Sequence, residues 1–308
     1  MEINQLTSFY EIVKTGSFSK AAQKLFITQS AVSHQIKNLE RELGIRLFDR
    51  MGHLVKVTET GQKFSNLVRI FLKDLENLKR ASEDMSEGRT GHLSIASSHA
   101  MIKNVLPNVI KEFVARFPGV KCKLVHRSLT QELLPMVLDG EVDVIIGARL
   151  GHRLHPKLRY LFWRSFDKVL LVPRDHYLSG KKSIKLADII KCPLILFREG
   201  SAIRSSVEKR FAEKGLPYDV VMEVDIAESV EKYVEMGFGI SIFSTLHIMN
   251  THSKRINYIN VSDLFGQIDY GIYYRKDRHV TTAMKQFIEF FIARDGSNPR
   301  GQKRRLDP

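Results

Sequence analysis

The first sixty residues place apolar side chains at three- and four-residue spacing, in short runs separated by small polar residues. Leu6, Phe9, Ile12 and Val13 predict one helix, which Gly16 ends. Ser17 can cap a second helix, Phe18–Leu25, whose inward face is Phe18, Ala21, Ala22 and Leu25. Thr28 caps a third that runs to about Leu43, with Val32, Ile36, Leu39 and Leu43 inward and Gln29, Ser30, Ser33, His34, Lys37 and Arg41 outward. Three tight helices with that outer face predict a helix-turn-helix. Residues 47–50 and 54–58 flank Met51-Gly52-His53 as the strands of a hairpin, which makes a wing. Residues 60–88 then read as one helix of about 42 Å. Its seam of Phe64, Val68, Phe71, Leu75, Leu78 and Met85, with Ser82 as the one polar interruption, alternates four and three, the signature of two paired helices. Leu67, Ile70 and Leu72 widen that stripe, so packing of the helix on its own domain stays open beside the dimer.

From Leu93 the rhythm changes, after a boundary at Gly88-Arg89-Thr90-Gly91. Strands are predicted at 93–96, 121–125, 142–147, 169–172, 194–197, 220–224, 240–243 and 268–274, and helices at 102–117, 131–138, 205–214, 229–236 and 281–292. The alternation predicts parallel sheets covered by helices, and the second series, 169–243, predicts two α/β lobes rather than one wide sheet. The resulting division is a winged helix-turn-helix at 1–59, a linker helix at 60–89, and an effector region at 90–293. Within that region, lobe I takes 90–163 and 268–293 and lobe II takes 164–267. Residues 294–308, with Arg300, Lys303, Arg304 and Arg305 among Gly, Asn and Pro, read as a disordered basic tail.

Composition narrows the classes. With 308 residues, 43% hydrophobic and 27% charged, two or three ordinary globular units are expected, and fibrous or disordered chains are excluded. No apolar run approaches the roughly 18 residues of a membrane helix, and the first residues lack a signal-peptide pattern, so a cytoplasmic protein is expected. Cys122 and Cys192 have no framework spacing, and His152 and His155 have no partners that complete a ligand set, so neither disulfides nor a metal site nor a cofactor is expected. The net charge of +14 suggests a polyanionic partner. Yet residues 1–90 hold 14 basic against 11 acidic side chains and the remainder 34 against 23, so charge alone does not locate a nucleic-acid site.

Pattern does so better. Gln29, Ser30, Ser33, His34 and Lys37 combine short polar groups that allow backbone approach with longer donors that reach base edges and phosphates. A solvated helix face is the plain alternative; the whole series of helix, helix, polar-faced helix, hairpin and long helix favours duplex DNA. A ligand site is sought beyond the carboxyl ends of the strands. Ser97, Ser98 and His99 follow the first strand, Arg149 follows the third, and Arg198 and Ser201 follow the fifth. Ser98 and Ser201 stand at helix starts, where they either face a ligand or merely cap. The two arginines favour an anionic small molecule, unless they pair with Glu199 or lie on the surface. No GxSxG, Walker loop or GxGxxG follows a strand, so an enzyme is not expected.

Specific motifs sharpen this reading. Phe18-Ser19-Lys20-Ala21-Ala22-Gln23-Lys24-Leu25, Thr28-Gln29-Ser30-Ala31-Val32-Ser33-His34-Gln35-Ile36, Leu39-Glu40, Leu43-Gly44, Leu47-Phe48-Asp49-Arg50 and Thr58-Glu59-Thr60-Gly61 occur in order. The run resembles the N-terminal signature of LysR-type transcriptional regulators, and the layout is similar over nearly the full chain. The resemblance implies an α/β protein with an all-α N-terminal part: a winged helix, a dimerising linker helix and a two-lobed, periplasmic-binding-protein-like effector domain. It further implies homodimers that assemble into homotetramers, binding to interrupted inverted repeats near promoters, and control by a small molecule in the cleft, with RNA polymerase a further candidate partner. By the same resemblance, Gln29, Ser30, Ser33 and His34 map to the DNA-contacting face and Arg50 to the wing start, with Ser17 and Lys37 beside them. Many members carry Arg where this chain has His34. Ala96-Ser97-Ser98-His99, Ser128-Leu129-Thr130-Gln131 and residues 231–239 are similar to the regulators of sulfur assimilation and cysteine synthesis, although Ala100 and Met101 stand where that group tends to place polar residues.

Overall fold

A computed structural model describes residues 1–51, 54–87, 91–151, 154–249 and 253–294. The expected wing tip at Gly52-His53, the boundary residues 88–90, His152 and the basic tail lie outside the described residues. The chain divides into two compact units, Met1–Ser82 and Glu83–Pro308.

In the first unit α1 (Ile3–Thr15), α2 (Phe18–Leu25) and α3 (Gln29–Leu43) pack around Leu6, Phe9, Ile12, Ala21, Val32, Ile36 and Leu39, all nearly solvent-free. Gly16 and Gly44 end α1 and α3 in the left-handed region, and Ser17 and Thr28 cap α2 and α3 as expected. Strands β1 (Phe48–Met51) and β2 (Leu54–Val57) form the antiparallel wing. Glu40 on α3 accepts the amides of Leu47 and Phe48 (2.7 and 3.2 Å), which ties the wing to that helix. The Thr58–Gly61 motif acquires a physical reason. Thr58 accepts the Gly61 amide (2.8 Å) and so starts α4 (Glu59–Glu87), while a β-carbon on Gly61 would lie 2.3 Å from the Leu47 carbonyl oxygen.

The apolar stripe of α4 divides its work. Phe64, Val68 and Leu72 join the core of the winged helix, as the alternative of packing on its own domain allowed. Leu67, Phe71 and Leu78 remain 65%, 47% and 68% exposed. That is an apolar face with nothing among the described residues of the first unit to cover it.

The second unit holds two five-stranded sheets. The first has the order β4 (Val120–His126), β3 (Gly91–Ser97), β5 (Val144–Ala148), β12 (Ile268–Arg275), β6 (Leu158–Phe166). Helices α5 (His99–Asn104), α6 (Leu106–Arg116), α7 (Thr130–Leu138) and α13 (Thr282–Ala293) belong with it. The second has the order β11 (Ile256–Asn260), β7 (Lys168–Pro173), β10 (Ile240–Ser244), β8 (Leu194–Phe197), β9 (Val220–Val224). Its helices are α8 (Leu186–Ile189), α9 (Ala202–Glu213), α10 (Ala227–Glu235), α11 (Thr245–Ile248) and α12 (Ser262–Phe265). Two lobes therefore exist, but the sheets are mixed rather than parallel: β12 runs antiparallel to β5 and β6, and β7 antiparallel to β10 and β11. The two strands missed by pattern, β6 and β11, lie at sheet edges and are mostly half-buried, so they lack a continuous apolar run. The helix expected at 102–117 is two, broken at Val105 just ahead of Pro107.

The chain crosses between the sheets twice, from β6 through Asp167 to β7 and from α12 through Gln267 to β12. Asp167 accepts hydrogen bonds from Ser262 (3.1 Å) and Gln267 (2.7 Å) and so ties the two crossings together. Beside it Lys168 is buried, its ammonium donating to the Phe265 carbonyl. Burial pushes this lysine from an ordinary 10.5 down to about 8. Between those values the unfolded chain binds a proton that the folded chain has released, so stability gains from rising pH over that window. The charged form costs the fold about 3 kcal/mol below pH 8. Lys168→Met is expected to be the more stable protein at pH 7. Its advantage in chemical denaturation should shrink as pH rises from 8 to 10.5; an advantage independent of pH contradicts this.

Candidate DNA interface and effector cleft

On α3 the outward residues Gln29, Ser30, His34, Lys37 and Arg41 are exposed and Ser33 is half-buried. Ser19 on α2 donates to Gln29 Oε1 (3.2 Å), and Thr28 and Ser30 share a hydrogen bond (3.0 Å), which orders the start of the helix. His34 Nδ1 lies 3.4 Å from Asn38 Nδ2, and Arg41 donates to Asn38 Oδ1 (3.0 Å), so the face is a connected polar strip rather than a set of loose side chains. Ser17 spends its hydroxyl as the α2 cap, accepting from the Lys20 amide (3.3 Å). Arg50 lies on β1, paired in register with Val55; its side chain is outside the described residues.

A cavity of about 80 Å³ opens between the two sheets of the second unit, room for a molecule of a few heavy atoms at about 10–15 Å³ for each water-sized sphere. Ser98, His99 and Asn104 come to it from the first lobe, together with His126, Ser128, Thr130 and Tyr270. Arg198, Ser201, Asp225 and His247 come from the second. Ser98 stands at the N-cap of α5 but makes no capping bond; its hydroxyl is enclosed beside the Tyr270 phenol. Ser201 does cap, accepting the Arg204 amide at 3.1 Å. His99 and His126 meet edge to face at 5.8 Å, and burial, then the His99 ring, lowers the His126 pKa. His247 Nδ1 lies 2.8 Å from Ser244 Oγ, its ring against Phe197 and Phe243.

Four of the six expected ligand residues, Ser98, His99, Arg198 and Ser201, thus meet in one cavity. Ser97 and Arg149 do not. The Ser97 hydroxyl is buried and donates to the Ile146 carbonyl (2.5 Å) on the neighbouring strand. Arg149 follows β5, where side chains alternate: Ala148 faces the cavity, and Arg149 turns to the other face, 5.8 Å from the Tyr160 ring. Arg198 is not free either. Its guanidinium meets Glu132 of the first lobe (2.5 Å) and Asp225 of its own (2.7 Å), not Glu199. Burial works to raise the Glu132 pKa, but bonds from Arg198 and the Leu129 amide outweigh it and hold that carboxyl below its usual range. The bond to Glu132 keeps Arg198 above its own ordinary value.

Pattern overlooked His126 and Asp225, although the strand-end rule that found Ser98 applies equally to the ends of β4 and β9. Asn104, His247 and Tyr270 carried no such signal, because helix packing and sheet pairing bring them in.

The winged-helix geometry has a counterpart in a family model. Residues 3–62 match the bacterial regulatory helix-turn-helix protein model of the lysR family, and residues 86–295 match the LysR substrate binding domain. The chain belongs to the LysR family. It is accordingly a helix-turn-helix transcriptional regulator with an effector-binding domain, not an enzyme. Among its relatives is the transcriptional regulator SsuR of Burkholderia cenocepacia, 30% identical over 94% of both chains. The regulator cbl of Escherichia coli is 34% identical over 79% of this chain and 77% of that protein. Among solved structures, full-length CbnR complexed with its target DNA has a TM-score of 0.72 at 23% identity, covering 96% of this chain and 99% of that one. The cofactor-binding domain of Cbl has a TM-score of 0.62 at 29% identity, covering 66% of this chain and 89% of that one. Among the described residues of this LysR regulator, no helix is long and apolar enough to cross a membrane.

Proposed function

We propose that this LysR regulator works in the cytoplasm as a homodimer paired along α4, assembled further into a tetramer. In this reading it holds an inverted repeat in promoter DNA through α3 and the wing, and its grip changes when a small anion enters the interlobe cavity. The observation that carries the anion reading is the lining itself: hydroxyls of Ser98, Ser128, Thr130 and Ser201 and the Arg198 guanidinium converge on a space too small for a large metabolite. Oxyanions and carboxylates are held by such neutral donors together with one cation. The stretches similar to the sulfur-assimilation regulators, 96–99 and 128–131, contribute to this lining, which favours an oxyanion.

Calorimetry of the full-length protein with inorganic sulfate, inorganic phosphate and acetate tests the proposal. At least one is expected to bind, and to shift the affinity for a duplex drawn from the region upstream of the gene; no heat with any of them counts against an anionic effector. Ser98→Ala is expected to weaken the bound anion roughly tenfold, the worth of one hydrogen bond to a charged group. Because Ser98 makes no capping bond, its removal should leave thermal stability nearly unchanged.

A further inference from the structure

Arg198 and Glu132 form an ion pair that joins the two lobes. Arg198 follows β8 in the second lobe, and Glu132 stands in the first turn of α7 in the first. The other partner of Arg198, Asp225, follows β9 in its own lobe and moves with it. With both carboxylates in place the guanidinium charge is already met, so Arg198, the one Lys or Arg among the described residues that line the cavity, offers an incoming anion little net attraction.

We propose that Glu132 is a built-in competitor for the effector, occupying Arg198 across the cleft until the ligand's negative charge takes its place. This rests on the anion reading of the cavity and adds the means of its regulation.

Three features suit Glu132 to exchange. The pair is half-buried, each side chain about one-third exposed, and pairs of this kind contribute about 1 kcal/mol or less, within reach of competition by a ligand charge. Glu132 also accepts the Leu129 amide through its other oxygen (3.1 Å), so it has a second partner to keep when Arg198 leaves. The lobes meet closely at this point: Gly200, at φ +81°, faces Gln131, and a β-carbon there would lie 2.4 Å from Gln131 Nε2. By contrast, the bond from Asn104 to the Leu246 carbonyl (2.8 Å) between α5 and α11 is buried and neutral. Ligand entry therefore releases the charged tie between the lobes and keeps the neutral one, which changes how the lobes are held together. A ligand that must displace a carboxylate also favours dianions over monoanions.

Calorimetry of the full-length protein with inorganic sulfate, at constant ionic strength, tests this in four forms: wild type, Glu132→Gln, Arg198→Gln and the double variant. Glu132→Gln retains an acceptor for the Leu129 amide and is expected to bind sulfate on the order of tenfold more tightly. Arg198→Gln is expected to bind more weakly than wild type, and in that background the change at 132 should have no effect beyond twofold. Glu132→Asp, whose shorter side chain cannot reach both partners, should also tighten binding and covers the case in which the glutamine variant folds poorly. Unchanged or weaker binding by both Glu132 variants, with wild type binding sulfate, overturns the competition and leaves the anionic effector standing. An equal change with and without Arg198 assigns Glu132 a role in the fold and also overturns it. Absence of binding in every variant overturns the competition and the anion reading together.

Discussion

Replacing Ser33 with aspartate is expected to abolish specific duplex binding. Ser33 lies one helical turn inside α3, between exposed Ser30 and Lys37 on the polar face, where in the proposed interface a short hydroxyl lets the helix backbone approach phosphate. A carboxylate there sets like charge against the DNA backbone in a partly desolvated interface, which costs several kcal/mol, roughly a hundredfold or more in affinity. The core side chains of α3 are Val32, Ile36 and Leu39, so the helix itself should persist. Mobility-shift titration against an upstream duplex, with circular dichroism as the control for folding, measures both effects. Wild-type affinity in Ser33→Asp removes this residue from the interface. The affinity of the wild type should also fall steeply with salt, since each phosphate contact releases counterions.

The second large effect is expected from Leu75→Asp. Leu75 lies half-buried on α4 between the exposed Phe71 and Leu78, beyond Leu72, which packs on the winged-helix core. If two α4 helices pair along this face, each aspartate is buried against its symmetry mate, and an unpaired charge in such a seam costs about 3–5 kcal/mol. The variant is expected to sediment as a monomer at micromolar concentration. It should lose most of its DNA affinity without a single base contact having changed, because one helix-turn-helix then reads only half of the proposed inverted repeat. A monomeric wild type, or a dimeric Leu75→Asp, rejects this pairing.

The residues that answer to local rules were legible in advance. Gly16, Ser17, Thr28 and Gly44 mark helix ends through backbone conformation and capping, and the spacing of Val32, Ile36 and Leu39 determines which face of α3 turns outward. All of this acts within a few residues of chain. The strand ends at Ser98 and Ser201 were legible for the same reason, since each joins an apolar run to a helix start, although only Ser201 caps its helix. The stripe on α4 was legible as a stripe, but its apportioning was not: spacing cannot tell that Phe64 and Val68 are taken by the winged helix while Phe71 and Leu78 are left over.

By itself, the order of amino acids determined the polar outward face of α3, the long helix with its apolar stripe and the presence of two α/β lobes. The tertiary structure alone decided that the sheets are mixed, because strand direction depends on where the chain returns after crossing between lobes. It alone turned Arg149 away from the cavity and Ser97 onto a neighbouring strand. It alone set Glu132 against Arg198, sixty-six residues apart, where the sequence had offered that charge to a ligand, to Glu199 or to solvent. Periodicity and capping are short-range and can be read along a chain; the balance of charge in a cleft is a sum over groups that only folding brings within reach of one another.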